Sequence, residues 1–202
     1  MAVSSPTGRL GWAPAPFRLP DTEGGEVALA DLRDAPGLLI MFICNHCPYV
    51  RHVQVELAAL TETYQQRGIA VVGINANDAE TYPDDGPEAM AEEARRVGYT
   101  FPYLYDASQE VARAYGAVCT PDLFLFGPSA SLPKGANALD DGPVLVYRGQ
   151  LDDARPGNDR PVDGADLRAA LDAVLMGDAV AAEQAPSVGC SIKWRPGNEP
   201  TS

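Results

Sequence analysis

The sequence predicts an α/β sandwich, because two continuous apolar runs flank one long amphipathic helix and further helices and strands alternate after them. The runs Leu38–Ile43 and Ile69–Ile74 contain no polar side chain, which is typical of strands buried on both faces of a parallel sheet. Between the runs, apolar residues recur at spacings of three and four along one helical face: Val50, Val53, Leu57, Leu60 and Tyr64. This strand–helix–strand order predicts a βαβ crossover.

Two shorter segments before the first apolar run predict a small hairpin. Phe17–Leu19 and Glu26–Leu29 flank Asp21–Gly25, in which two glycines permit a turn. Residues 1–16 are rich in Pro, Gly and Ser, and we expect them to lie along the surface.

The second half of the chain continues the alternation of helices and strands. Two helices, two strands and a final helix are predicted at Pro87–Val97, Ser108–Tyr115, Leu123–Phe126, Val144–Tyr147 and from Leu167 to near Gly177. The loop Gly127–Pro143 is longer than most connections. With 202 residues, we expect a single domain over 1–202, with a core at about 14–178 and a surface-docked tail at 179–202.

Charge and hydropathy narrow the range of partners and compartments. The net charge of −13 disfavours broad contact with nucleic acid or an anionic membrane surface, since both would repel the chain. No apolar stretch approaches the roughly 20 residues that span a bilayer. Met1–Pro20 lacks the apolar segment after a basic one that marks a secretory signal. We therefore expect a cytoplasmic protein with no nucleic-acid or membrane partner.

Two of the four cysteines, Cys44 and Cys47, lie where the first buried strand ends and the long helix begins. A helix N-terminus stabilises an anion, and the thiolate is the form that attacks disulfides. We expect the first sulfur to be exposed and the second to lie behind it. Asn45, His46 and Pro48 are candidate redox-tuning residues. His46 can favour the thiolate, and the alternative is an exposed polar residue without redox effect.

Other interpretations of the cysteine pair remain open at this point. Cys-x-x-Cys is half of the usual zinc motif, but Cys119 and Cys190 are isolated and His52 lies on the same helix, so we expect no metal. Two inert structural cysteines would not explain the position at a strand-to-helix junction. The acidic loop Tyr82–Gly86 does not match a calcium-binding EF-hand loop, and we expect it to be solvated.

Three segments together resemble a known family: Phe42–Val50 (FICNHCPYV), Ala117–Phe126 (AVCTPDLFLF) and Gly189–Trp194 (GCSIKW). They look like the bacterial peroxiredoxin-like thioredoxin family, which is related to AhpC/TSA proteins. The resemblance covers almost the whole chain. It implies a thioredoxin-like three-layer α/β/α sandwich with an N-terminal β-hairpin extension and a C-terminal tail. It also implies that Thr120 and Pro121, with Pro121 in cis, face the cysteine pair and form a substrate groove.

The family combines two activities, and this chain departs from the peroxidase pattern at two points. In peroxiredoxins the motif is Thr-x-x-Cys, so Cys44 takes the place of the threonine, and no arginine occurs near Thr120. We therefore expect a thiol–disulfide oxidoreductase in which Cys44 attacks and Cys47 resolves the mixed disulfide. A thiol-dependent peroxidase with Cys47 as the peroxide-reactive thiol is the alternative. A non-catalytic binding domain with structural zinc or an inert disulfide is the second alternative.

The expected partners are protein or small-molecule disulfides, peroxides in the peroxidase alternative, and a thiol reductant; no cofactor is expected. Cys119 and Cys190 are candidate accessory thiols. Cys119 is also compatible with a small buried apolar residue. Cys190 is compatible with an extra resolving thiol, or with a tail segment that docks through Ile192 and Trp194.

Overall fold

The computed structural model describes residues 2–6 and 9–200, and the predictions for residues 1, 7–8 and 201–202 lie outside the described residues. Within the described residues the strands are β1 Ala2–Ser4, β2 Arg18–Pro20, β3 Glu26–Ala28, β4 Leu38–Phe42, β5 Ala70–Asn75, β6 Tyr103–Tyr105, β7 Cys119–Thr120, β8 Asp122–Gly127, β9 Val144–Gly149 and β10 Val188–Ser191. The α-helices are α1 Pro48–Gln66, α2 Pro87–Val97, α3 Glu110–Tyr115 and α4 Ala165–Met176. No helix in the described ranges is long and apolar enough to cross a membrane.

The central sheet has five strands in the order β6-β5-β4-β8-β9. Strands β4, β5 and β6 are parallel, and β8 and β9 are antiparallel to their neighbours. The unit β4–α1–β5 confirms the predicted crossover, and β2 pairs with β3 as the predicted hairpin. Every residue of β4 is buried, as the continuous apolar run indicated.

Two apolar clusters cover the two faces of this sheet. On one face, side chains of α1 and α4 pack together with Met90 of α2. On the other face, α3 packs with the hairpin and with Trp12, whose ring meets Phe126 edge-on at 5.2 Å between centroids. The N-terminal segment thus covers part of the core through Trp12 and does not lie only along the surface. The result is the thioredoxin-like three-layer sandwich that the family resemblance implies.

The tail contains a strand that its irregular sequence did not predict. Strand β10 lies between β1 and β7 in a separate three-stranded antiparallel sheet, with Cys190 opposite Thr120. Gly189 permits this approach, because a Cβ there would lie 2.0 Å from the Thr120 carbonyl oxygen. Such a short strand is specified by its pairing partners, and hydrophobic periodicity does not reveal it.

Asp122 and Arg148 form a buried ion pair directly after the Thr120–Pro121 loop. The Arg148 Nη2 atom donates to Asp122 at 2.8 Å and to the Gly116 carbonyl at 2.7 Å, and the guanidinium lies over the Phe124 ring. The Arg148 side chain is 6% exposed, and the Asp122 side chain is 0% exposed. Burial raises the pKa of Asp122, although Arg148 acts to lower it. Each charge therefore depends on the other for compensation.

We expect Asp122→Asn to lower the free energy of unfolding by about 3 kcal/mol, because it leaves the Arg148 charge buried without a counter-charge. Chemical denaturation followed by circular dichroism measures this. Glu26→Gln is the matched control, because it breaks the exposed Arg18–Glu26 pair and should change little. Equal effects of the two substitutions would contradict the interpretation.

Candidate thiol site

The two cysteines of the motif lie at the carboxyl end of β4, where the chain turns into α1. Cys47 directly precedes the helix in an extended conformation, and Pro48 occupies the first helical position, where a backbone N–H is not needed. Cys44 is 2% exposed and Cys47 is fully buried. The expectation that the first sulfur is exposed is therefore wrong. The physical reason is that the Thr120–Pro121 loop and β10 lie against the pair, and the sequence did not show this cover.

Thr120 contacts both sulfurs. The Cys44 Sγ lies 3.1 Å from the Thr120 hydroxyl, and the Cys47 Sγ lies 3.1 Å from the Thr120 carbonyl oxygen. The Thr120–Pro121 peptide bond is cis, as the family resemblance implied. The edge of Thr120 that an extended substrate would pair with is already paired with Cys190. The backbone edge at which a substrate groove is predicted is thus occupied by the chain's own tail.

The two thiols share a hydrogen bond, and this coupling separates their acidities. The pKa of Cys47 is lowered to about 4 by the hydrogen bond with Cys44, followed by those from Thr120 and from the backbone N–H groups of Val50 and Cys190; burial opposes the shift. The pKa of Cys44 is raised by the same hydrogen bond, by burial and by the nearby Asp85 carboxylate. The negative charge of the reduced pair therefore resides on Cys47, whereas the sequence suggested Cys44 as the thiolate.

A buried carboxylate lies beside the pair. Asp85 is fully buried and accepts hydrogen bonds from the Asn45 backbone N–H at 2.8 Å and from the Asn77 side chain at 2.8 Å. Its second oxygen also lies 2.5 Å from His46 Nδ1, and Tyr82 stacks on the His46 ring. The expectation that this acidic loop is solvated is wrong for Asp85. The loop follows β5, the parallel neighbour of β4, and both carboxyl ends meet at one edge; that topology could have revealed it.

The three residues named as redox-tuning have different surroundings. Asn45 is held on three sides: its side chain donates to the Asp84 carbonyl and accepts from the Tyr103 hydroxyl, and its carbonyl accepts from Arg51. His46 is partly exposed, with its side chain 23% accessible. Pro48 occupies the first position of α1, and its ring nitrogen has no N–H to donate.

The two accessory thiols differ in position. Cys119 is fully buried, its thiol contacts the Pro121 carbonyl at 3.6 Å, and burial raises its pKa. Cys190 is partly exposed and packs on the α1 side of the sheet with Cys44 and Cys47. Burial and then hydrogen bonding to Cys47 raise the pKa of Cys190 to about 11.

The rest of the tail motif docks on the opposite cluster. Ile192 is 3% exposed, and Trp194 packs against the same group of buried side chains. Both suggestions for this segment are therefore compatible with the structure: it docks through Ile192 and Trp194, and it brings the Cys190 thiol to Cys47.

Three potential metal-ligand atoms also meet here. Ligand atoms of Cys44, His46 and Asp85 all lie within 4.8 Å of one another. The possible zinc ligands identified in the sequence were cysteines and histidines, and Asp85 was not among them. Both carboxylate oxygens of Asp85 are already hydrogen-bonded within the protein, and His46 Nδ1 is one of the partners. A metal would have to displace these contacts.

The chain is similar to proteins of two redox classes. A family model described as "AhpC/TSA family" matches residues 12–133. The crystal structure of an uncharacterized conserved protein from Geobacillus kaustophilus is similar at 50% identity, covering 97% of each chain with a TM-score of 0.87. Thiol-disulfide oxidoreductase ResA of Geobacillus thermodenitrificans is 30% identical over 58% of this chain and 63% of its own length. A Mycobacterium tuberculosis protein named "Putative peroxiredoxin" is 32% identical over 52% of this chain and 61% of its own length. The chain thus spans less than two thirds of each of these two curated relatives.

We expect the reduced protein to show one thiolate that forms as the pH rises through about 4, because hydrogen-bond donors surround Cys47. Ultraviolet thiolate absorbance against pH measures it. Cys47→Ser should abolish this transition, and Cys119→Ser should leave it unchanged. A first thiolate that forms only near the unperturbed value of ~8.5 would contradict the assignment.

Proposed function

This chain belongs to the AhpC/TSA family, and we propose that it acts as a thiol–disulfide oxidoreductase through Cys44 and Cys47. One observation carries the proposal: the two thiols are hydrogen-bonded to each other at the first turn of α1, and Thr120 contacts both sulfurs. Such a pair can close a disulfide without large backbone movement, and its low first pKa keeps the resolving sulfur of Cys47 in the thiolate form. The relation to a thiol-disulfide oxidoreductase supports this chemistry.

In the proposed reaction Cys44 Sγ attacks one sulfur of a substrate disulfide. A mixed disulfide forms, and the other substrate sulfur leaves as a thiolate that takes up a proton. Cys44 must lose its own proton in this step; ligand atoms of His46 and Asp85 lie within 4.8 Å of the Cys44 sulfur, a separation that one bridging water can span to carry the proton to this pair. The Cys47 thiolate then attacks Cys44 Sγ, which closes the Cys44–Cys47 disulfide and releases the second substrate thiol.

The proposed setting is that of a single domain in the cytoplasm. Disulfides of proteins or small molecules are the substrates, and a thiol reductant returns the pair to the dithiol state. No nucleic acid or membrane takes part.

We expect the Cys44–Cys47 pair to form a reversible intramolecular disulfide when the protein is titrated in glutathione buffers of varied redox poise. Alkylation of free thiols followed by mass spectrometry counts the oxidised cysteines. Cys47→Ser should accumulate a mixed disulfide at Cys44, because the resolving thiol is absent. The matched control Cys119→Ser should behave as wild type.

Two results would contradict this function. One is failure of Cys47→Ser to trap any mixed disulfide. The other is stoichiometric zinc in the purified protein, which would favour a structural metal held by Cys44, His46 and Asp85.

Peroxide reduction is a second candidate, because the low pKa lies on Cys47. That residue occupies the peroxide-reactive position of the Thr-x-x-Cys pattern, and a relative named as a peroxiredoxin supports it. Among the described residues, no arginine donates a hydrogen bond to either sulfur, and such a donor would help to position a peroxide. Peroxide consumption by the sample used for the redox titration separates the two. Rapid consumption that requires Cys47 would favour the peroxidase and make Cys44 the resolving thiol.

We expect Asp85→Asn to slow disulfide exchange at neutral pH by about tenfold or more, because the substitution removes the carboxylate charge beside His46 that is proposed to help accept the Cys44 proton. Asp84→Asn is the matched control, because Asp84 is exposed and contributes its backbone carbonyl to the site. Faster exchange in Asp85→Asn would show instead that the carboxylate acts mainly by raising the pKa of Cys44.

A further inference from the structure

Strand β10 occupies the position where an extended substrate would meet the cysteine pair. Cys190 is the register partner of Thr120, and Ser191 is the partner of Cys119. Gly189 lies so close to the Thr120 carbonyl that a side chain there would collide with it. The chain therefore places one of its own cysteines where the peptide of a substrate would run.

The Cys190 side chain packs against the same apolar cluster as Cys44 and Cys47. Directly opposed residues of an antiparallel pair share a face, so it lies on the face of the Thr120 side chain, which contacts Cys44. Cys119 lies one residue from Thr120 in sequence, yet its thiol is directed to the Pro121 carbonyl instead. Cys190 is thus the accessory thiol placed for exchange with Cys47.

Exposure differs between these sulfurs. Cys44 and Cys47 are 2% and 0% exposed, whereas Cys190 is partly exposed. A thiol reductant that cannot enter the closed site can approach Cys190.

We propose that Cys190 is a third redox thiol, which takes over the disulfide from Cys44 by forming a Cys47–Cys190 bond and so presents it to a thiol reductant at the surface. This inference rests on the proposed oxidoreductase function. In the exchange, Cys190 Sγ attacks Cys47 Sγ, the Cys44–Cys47 bond breaks, and Cys44 leaves as a thiolate that takes the proton lost by Cys190. No electrons are gained or lost in this step.

Reduction then proceeds from the surface. A reductant thiolate attacks Cys190 Sγ and expels the Cys47 thiolate, and a second reductant thiol releases Cys190 as a free thiol. Cys47 is the better leaving group of the two, because hydrogen bonds from Cys44 and Thr120 lower its pKa, whereas burial raises that of Cys190. Two of the contributions that raise the pKa of Cys190 come from Cys47 itself and require its charge, so they are absent once Cys47 is in a disulfide.

The first test uses Cys44→Ser, which leaves Cys47 and Cys190 as the candidate pair. Oxidised glutathione supplies the electron acceptor and is itself reduced to two thiols. After alkylation and digestion with trypsin, we expect a disulfide between the peptides 34–51 and 169–193. A link from 34–51 to the Cys119 peptide 114–134, or no link at all, would overturn the proposal.

The second test measures how fast reduced glutathione opens the Cys44–Cys47 disulfide of the otherwise intact protein. We expect Cys190→Ser and Cys190→Ala to slow this reduction by about tenfold, because the accessible sulfur is lost. Cys119→Ser is the control and should match wild type. Wild-type rates in both Cys190 variants would overturn the relay even if the cross-link forms.

The two tests also separate this inference from the function it rests on. If wild-type protein forms no Cys44–Cys47 disulfide, the oxidoreductase function itself is wrong. If that disulfide forms and both Cys190 results are negative, the relay alone is wrong.

Discussion

The contacts of Thr120 are the constraint on which the rest of the site depends. Its hydroxyl lies against the Cys44 sulfur, its carbonyl oxygen lies against the Cys47 sulfur, and its backbone pairs with Cys190 of the tail. One residue therefore contacts both sulfurs and also pairs with strand β10. The buried pair of Asp122 and Arg148 anchors the chain directly after this loop. A site of this kind is stable because each contact is made by an element that the core already holds in place.

The surroundings of the two cysteine sulfurs then give them different protonation states, although the two side chains are chemically identical. The hydrogen bond from Cys44, and after it those from Thr120 and two backbone N–H groups, favour a charge on Cys47. The same hydrogen bond, burial and the Asp85 carboxylate disfavour a charge on Cys44. The first proton of the pair is therefore lost easily and the second is retained, which is the behaviour of a coupled pair. The acidity of each sulfur is thus a property of the pair together with its carboxylate neighbour.

The sequence could predict the parts of this structure that periodicity and local chemistry determine. The β4–α1–β5 unit, the hairpin and the position of the Cys44–Cys47 motif follow from apolar spacing and helix boundaries. The cis bond before Pro121 came from the family resemblance and not from any local pattern. Asp85 and β10 were missed because both act through tertiary pairing: a loop folds back onto the motif, and a four-residue strand pairs with two distant segments. The burial of Cys44 was missed for the same reason, since Thr120, which lies against its sulfur, is 76 residues further along the chain.

The position of strand β10 also determines how a reactant can reach the buried sulfurs. Moving β10 would break its pairing with β1 and β7 and expose Ile192, which together costs about 5 kcal/mol at ordinary values for hydrogen bonds and apolar burial. An open state of that free energy has a population of roughly one in a few thousand. Transfer of the disulfide to Cys190 offers the reductant a route without this cost, because Cys190 packs against the cluster that contains Cys47 and is partly exposed. A closed groove is therefore compatible with reduction of the disulfide from the surface, whereas the attack of Cys44 on a substrate disulfide requires the open state.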